Sequence, residues 1–434
     1  MNDDTPAPEA GSSRRAFLKT GPALAGSLAA TLALPTVPAH AQTSSGARWS
    51  ATWGAAPAGP PPAARIQTYS SQTLRLIVRT SIGGNRVRIR ISNEMGLVPL
   101  RIERASIALR SSGAAVNQAS LRELRFGGAA GVTIRQRTPV VSDAVDLAVP
   151  AQADIAVSLY LSGSTQVTTL HNLALQTGYV SPGGDYTSTV SMPVSRTIST
   201  WPFLTAVDVA AAVPCVVALG DSITDGQGST SNANRRWPDY LARRLQASLG
   251  AAGRIGVVNR GIAANCLLKD YPDAMLAGYA ALERFDRDVL STSGVRYLIT
   301  LIGINDICYS SGSNPIPAAD LIAGYRQLIA RAQARDITII GATLPPFEGF
   351  VYYTAARERV RQAVNDWMRA SGEFDALLDT EAALRDPARP TQILAAYDCG
   401  DRLHPNDAGY QAIANAVPLA PFLAGATAPI EQRT

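Results

Sequence analysis

Histidine is scarce in this chain: three residues, His40, His171 and His404, among 434. His404 is the sole imidazole of the second half, so a multi-histidine zinc centre has no ligands there, and no His-Glu-x-x-His pair occurs anywhere. Cysteine is nearly as sparse. Cys215, Cys266, Cys308 and Cys399 include no Cys-x-x-Cys pair, which removes zinc ribbons and thioredoxin-type sites. A Gly-x-Ser-x-Gly turn is also missing, because threonine stands at position 224 where that pattern needs its last glycine. Beyond the amino-terminal segment there is no apolar run long enough for a membrane span, and no nucleic-acid-binding motif is present. What remains is a globular composition, 46% hydrophobic and 17% charged, with length enough for two domains.

The first residues read as an address rather than as fold. Ser13-Arg14-Arg15-Ala16-Phe17-Leu18-Lys19 is a twin-arginine export pattern, followed by a mildly apolar stretch to Val37 and an Ala39-His40-Ala41 cleavage site. Residues 1–41 are therefore expected to be a signal peptide. The mature chain would begin near Gln42 and act in the periplasm or outside the cell, with no membrane anchor. An even cysteine count in an exported chain permits disulfides. Folding before export favours reduced thiols, and the sequence leaves that choice open.

Residues 47–205 show short alternating strands such as Leu74–Thr80, Arg86–Ser92, Ile102–Arg110 and Ile155–Leu161, broken by Gly/Ser/Asn turns. This pattern predicts an antiparallel β-sandwich. The segment carries 15 arginines against 7 acids, whereas 214–434 holds 21 basic and 23 acidic residues. Arg86, Arg88 and Arg90 alternate with Val87, Ile89 and Ile91, so a solvated strand face accounts for much of the excess. Residues 206–213 are Ala/Val-rich and read as a linker. From 214 to 424, strand-like runs alternate with amphipathic helices, predicting an α/β domain with a parallel sheet. Right-handed crossovers would carry all of its strand ends to one edge.

That edge gathers the chemistry-bearing residues. The apolar run Pro214–Leu219 leads directly into Gly220-Asp221-Ser222-Ile223-Thr224, placing a serine at the tip of a turn. Alone, Ser222 reads equally well as a helix N-cap. Asp401-Arg402-Leu403-His404 changes the balance, since a serine nucleophile needs a base and the base needs an acid to orient it. Asn259-Arg260-Gly261 and Gly303-Ile304-Asn305-Asp306 follow strand-like runs and offer amides for an oxyanion hole. Asp221 and Asp306, adjacent to these residues, read as supports of loop geometry.

Together the four segments resemble the GDSL (or SGNH) hydrolase family, whose serine, glycine, asparagine and histidine blocks correspond to Ser222, Gly261, Asn305 and His404. The resemblance covers roughly residues 214–424. It implies a flavodoxin-like three-layer αβα sandwich, a Ser222–Asp401–His404 triad, and an oxyanion hole from Ser222, Gly261 and Asn305. It implies no metal and no organic cofactor. A looser likeness through Arg236-Trp237-Pro238 and residues 281–288 is to xylan-esterase-like bacterial members, pointing to short acyl esters, acetyl above all, on carbohydrate. A lipase, arylesterase or acyltransferase with the same triad stays open. So does a non-catalytic carbohydrate- or surface-binding protein. Trp237 either stacks on a sugar or packs inward, and the aromatic loop 345–353 either lines the site or fills the core.

Overall fold

The computed structural model describes residues 47–270 and 277–425. The amino-terminal half is built around two large antiparallel sheets, with two small two-stranded ones beside them. In the strand Gly84–Ser92, Val87, Ile89 and Ile91 turn inward and are buried, as a period of two requires. That strand pairs with Leu204–Ala210, which in turn pairs with Trp49–Gly54; Val145–Val149 and Pro139–Val141 also pair with it. The facing sheet has seven strands centred on Thr68–Arg79 and Asp154–Gln166. Leu74, Leu76, Val78, Ile89, Val157, Leu159 and Val207 fill the space between, each such burial contributing roughly 1.5–3 kcal/mol.

Residues 206–213, expected to be a linker, are mostly something else. Leu204–Ala210 is a sandwich strand held on both sides, by Trp49–Gly54 and by Gly84–Ser92. Its Val207 and Val209 alternate with Asp208 and Ala210, a period-two signal hidden by the alanine content. The sandwich therefore begins and ends on adjacent strands.

The second half builds a five-stranded sheet in the order Gly256–Gly261, Cys215–Gly220, Val295–Leu301, Thr338–Ala342, Ala376–Leu378. Every pairing is parallel. Numbered along the chain, the order is 2-1-3-4-5, with the reversal between the first and third strands. All six residues of Cys215–Gly220 are buried, as a central parallel strand demands. The helix Trp237–Leu249 buries Trp237, Leu241 and Leu245 at four-residue spacing. The helix Ala355–Ala370 starts where the Thr354 hydroxyl accepts from the Arg357 amide. Between the second and third strands, Tyr279–Leu290 forms turns and a single wide-turn segment, Asp286–Leu290, in place of a regular helix. Its Arg284 and Asp288 are wholly buried, so the segment is no amphipathic surface helix.

Across the described residues the two halves pack as one unit. The strand Trp49–Gly54 serves both: Trp53 lies in the sandwich core and Ala51 in the core of the parallel sheet. A Cβ at Gly256 would stand 2.3 Å from the Ala51 carbonyl oxygen, so only glycine allows that approach. Polar groups seal the seam. Ser81 Oγ donates to Thr52 O at 2.7 Å and accepts from the Val257 amide at 2.9 Å. The arginine face of Gly84–Ser92 is only partly solvated: Arg88 pairs with Asp208 at 3.0 Å and reaches Ser293, while Arg90 bonds Ser291.

Candidate active site

The Ser222 turn is shaped by close packing. At Gly220 a Cβ would lie 2.1 Å from Thr224 Oγ1 and 2.4 Å from Leu301 O, so glycine is required by space rather than by backbone angle. Asp221 then caps the four-residue helix Ser222–Asp225, its carboxylate accepting from the Ile223 amide at 3.0 Å. Gly226, at φ 107°, ends it. As the first residue of this helix, Ser222 has no intrahelical acceptor for its amide. Its side chain is enclosed rather than exposed, with 4% of the residue accessible.

The carboxyl-terminal block meets it. Ser222 Oγ lies 2.7 Å from His404 Nε2, and His404 Nδ1 lies 2.6 Å from Asp401 Oδ2. The other Asp401 oxygen accepts from the Leu403 and His404 amides at 3.0 and 2.8 Å. Burial works to raise the Asp401 pKa, but hydrogen bonds from the His404 ring and backbone overrule it and hold the carboxyl well below its ordinary range. A charged Asp401 fixes the proton on Nδ1 and leaves Nε2 free to accept from Ser222.

Two further donors were expected, and they fare differently. Asn305 is buried, and its Nδ2 donates to Asn265 O at 2.9 Å, which uses one amide proton and orients the other. The Gly261 amide instead donates to Asn259 Oδ1 at 2.8 Å. A Cβ at Gly261 would stand 2.2 Å from the Asp225 amide nitrogen, so this glycine lets the serine helix lie against the neighbouring strand. Its amide is committed, and the oxyanion role expected of it does not fit. Ala264 fits better: it sits at φ 64°, and its amide has no acceptor among the described residues. Ala263 N is anchored on Asp225 Oδ2 at 2.9 Å, and Asn265 O receives Asn305.

Of the two flanking acids, Asp221 holds the serine turn through the Ile223 amide and Asp306 holds this loop. Asp306 accepts from Leu267 N at 2.7 Å and Leu268 N at 3.0 Å. Burial pushes its carboxyl up to about 6 against those bonds. Burial, with Asp306 nearby, pushes Asp221 up to about 7.

Arg284 went unassigned in the sequence, although it is the residue that knits the sheet edge together. Fully buried, it donates to Gly220 O at 2.9 Å, Arg260 O at 2.8 Å and Asn265 Oδ1 at 3.0 Å, and pairs with Asp288 at 2.8 Å. A buried arginine is rare unless it serves several acceptors, but its sequence position resembles any surface helix. Trp237 packs inward, wholly buried, with its indole N–H donating to Thr224 Oγ1 at 3.3 Å; it is not a sugar platform. The aromatic loop divides its labour. Phe347 is buried against Tyr353, while Phe350 stands edge-on to His404 at 6.3 Å and carries Tyr352 beside it at 5.6 Å.

Asp398, Cys399 and Asp401 lie within 4.8 Å of one another. Their closeness follows from a turn in which Asp398 accepts from Gly400 N and Arg402 N and Asp401 is committed to His404. The four cysteines are free thiols. No described helix is long and apolar enough to cross a membrane. The expected export signal, with His40, lies outside the described residues.

Comparison with solved structures finds a protein of the G-D-S-L lipolytic group from Desulfitobacterium hafniense, 21% identical, covering 46% of this chain and 96% of that one (TM-score 0.35). LAE5, an α/β hydrolase from the metagenome of Lake Arreo, is 26% identical over 49% of this chain and 96% of its own (TM-score 0.36). A catalytic mutant of Axe2, an acetylxylan esterase from Geobacillus stearothermophilus, is 23% identical over 51% and 97% (TM-score 0.36). Comparison with curated proteins finds no match. The family model described as the GDSL-like Lipase/Acylhydrolase family matches residues 218–412. That segment belongs to this acylhydrolase family, and the protein is an ester-hydrolysing enzyme.

Proposed function

We propose that the protein is an exported serine esterase that removes short acyl groups, acetyl above all, from carbohydrate through a Ser222–Asp401–His404 triad. The observation that carries this reading is the unbroken chain from Ser222 Oγ to His404 Nε2 at 2.7 Å and from His404 Nδ1 to Asp401 at 2.6 Å. His404 Nε2 takes the Ser222 proton as Oγ attacks the ester carbonyl. The resulting oxyanion is held by the amides of Ser222 and Ala264 and the side chain of Asn305, with Ala264 in the place first expected of Gly261. The same imidazolium then protonates the departing alcohol, leaving an acyl-enzyme. Water, deprotonated by His404, attacks that ester and restores the serine. Apart from the attacking water, each step uses protein side chains and amides.

The 2-1-3-4-5 parallel order supports a flavodoxin-like three-layer reading of the hydrolase half. The Phe350–Tyr352 rim suits a sugar face or an aryl ester, while the export pattern in residues 1–41 suits a substrate outside the cytoplasm. The deciding experiment is hydrolysis of acetylated xylan, acetylated sugars and aryl esters of increasing chain length by the wild type and Ser222→Ala. Acetyl preference on carbohydrate, abolished by the substitution, is expected. Preference for long acyl chains would overturn the substrate, and activity surviving in Ser222→Ala would overturn the nucleophile.

A further inference from the structure

The sandwich sends one side chain into the hydrolase half beneath the Ser222 turn. His171, in the short strand Leu170–His171, is buried. Its Nδ1 lies 2.9 Å from the Ala56 carbonyl oxygen; its Nε2 lies 2.9 Å from Asp225 Oδ1 and 3.2 Å from Leu173 O. Both ring nitrogens face acceptors alone, so the ring satisfies its surroundings only by donating from both. Burial works to lower the His171 pKa, yet the Asp225 charge and hydrogen bond, with the Ala56 carbonyl, carry it above its ordinary value; Arg236 nearby opposes them. Trp201 lies against the ring at 5.4 Å and Arg236 sits over Trp201, which closes the pair off from water.

Asp225 is the last residue of the Ser222 helix, and its second oxygen holds the Ala263 amide. One carboxylate thus joins three parts: the serine helix, the oxyanion loop and the sandwich. The contact is not isolated. The segment after the serine helix is held from the same side, where Asn232 Oδ1 accepts from Gln176 Nε2 at 2.9 Å and from Thr177 N at 2.7 Å. Arg236 donates to the Ala174 carbonyl as well.

We propose that His171 is a positioning residue: by holding Asp225 it sets the oxyanion amide of Ala264 relative to Ser222, so the sandwich completes the active site. This rests on the triad reading above. Misplacing a donor by about 1 Å suffices to cost on the order of 10²-fold in rate, and such a loss falls on turnover rather than on substrate affinity.

The test uses the full chain with p-nitrophenyl acetate. His171→Leu fills the volume without a donor; His171→Gln keeps an N–H for Asp225. His171→Leu is expected to lower kcat by about 10–100-fold with KM within about twofold, and His171→Gln to restore kcat to within about fivefold of wild type. A folded His171→Leu enzyme with wild-type kcat would overturn the proposal, as would a His171→Gln loss equal to that of His171→Leu. Should His171→Leu not fold, Asp225→Asn carries the test, because its one remaining acceptor oxygen cannot serve both His171 and Ala263. Wild-type kcat there would also overturn it. Nitrogen-15 spectra of histidine give a second readout. His171 should stay doubly protonated at pH values where an ordinary imidazole is neutral, and a neutral ring would contradict the assignment. Ser222→Ala run alongside separates the two ideas: residual activity there defeats the triad, whereas a dead Ser222→Ala beside an unaffected His171→Leu defeats only this inference.

Discussion

Arg284 donates to the carbonyl oxygen of Gly220 at 2.9 Å, two positions before the serine, from a side chain with no exposed surface. The same guanidinium holds the Arg260 carbonyl, the Asn265 side chain and Asp288, so one charge fixes the ends of two strands and the loop that follows the second. Arg284→Ala should cost about 3–5 kcal/mol of stability, the usual consequence of breaking a buried charged network. Arg284→Lys should rescue little, since an ammonium cannot span the acceptors of a planar fork. Urea denaturation measures both, and a loss under about 1 kcal/mol for the alanine variant would contradict this placement.

Within the proposed triad, His404→Ala and Ser222→Ala should each lower kcat by about 10⁴-fold or more. Asp401→Ala should be milder. Gln227 Nε2, 3.5 Å from His404 Nδ1, is itself an N–H donor and cannot replace the lost carboxylate, so the remaining activity rests on water entering the vacated space to accept from Nδ1. An active-site serine reagent should label the wild type rapidly and Ser222→Ala not at all. Rapid labelling elsewhere in the Ser222→Ala chain would move the nucleophile.

The oxyanion residues separate by kind of effect. Asn305→Ala should lower kcat by about 10²–10³-fold with KM nearly unchanged. Gly261→Ala should instead destabilise the protein, by about 1–3 kcal/mol, because its Cβ meets Asp225 backbone. Ala264→Gly, at a backbone angle that glycine adopts freely, should keep activity and melt no lower than wild type. A collapse of kcat in Ala264→Gly with an unchanged melt would mean that the methyl group, not the amide, matters there.

Stability should fall as pH rises from about 4 to 7. Asp221 and Asp306 are raised from 3.8 to about 7 and about 6, so across this window the folded chain holds protons that the unfolded chain has released. The stability they contribute is complete below the unfolded value and is lost as pH climbs through the folded ones. Asp401 acts in the opposite sense, but its window lies below 3.8. Urea midpoints at several pH values measure the slope, which Asp306→Asn should flatten. A midpoint rising between pH 5 and 7 would contradict the burial of these acids.

The hydrogen-bonded chain proposed as the triad was legible because it is written in short segments: a strand running into Ser222, and Asp401 three residues before His404. Both domain types followed from hydrophobic period alone. What the sequence hid depends on distant pairings. The strand Leu204–Ala210 looked like spacer because its alanines blur the alternation, and only its two partners identify it. Gly261 drew the oxyanion role because a glycine after a strand suggests a free amide, whereas Asn259, two residues earlier, takes that amide. Ala264 carried no signal, since a left-handed alanine cannot be told from any other. His171 and Asp225 lie 54 positions apart, and nothing local marks them as partners.

A chain beginning near Val213 provides the sharpest test of how the halves depend on one another. If the sandwich served only to hold polymer near the triad, its removal would spare hydrolysis of a small soluble ester and impair hydrolysis of insoluble acetylated xylan. The seam argues otherwise. Buried Arg260 would lose the Ala55 and Thr205 carbonyls it holds at 2.6 and 3.0 Å, Asp225 would lose His171, and the Val257 amide would lose Ser81. Leaving a charge such as Arg260 without its acceptors is strongly destabilising, and the Ala51-covered edge of the parallel sheet would face water. The shortened chain should therefore aggregate, or, where a soluble fraction is recovered, lose kcat on p-nitrophenyl acetate and on xylan by the same factor. Wild-type turnover on the soluble ester with a selective loss on the polymer would restore the tethering role and remove the structural one.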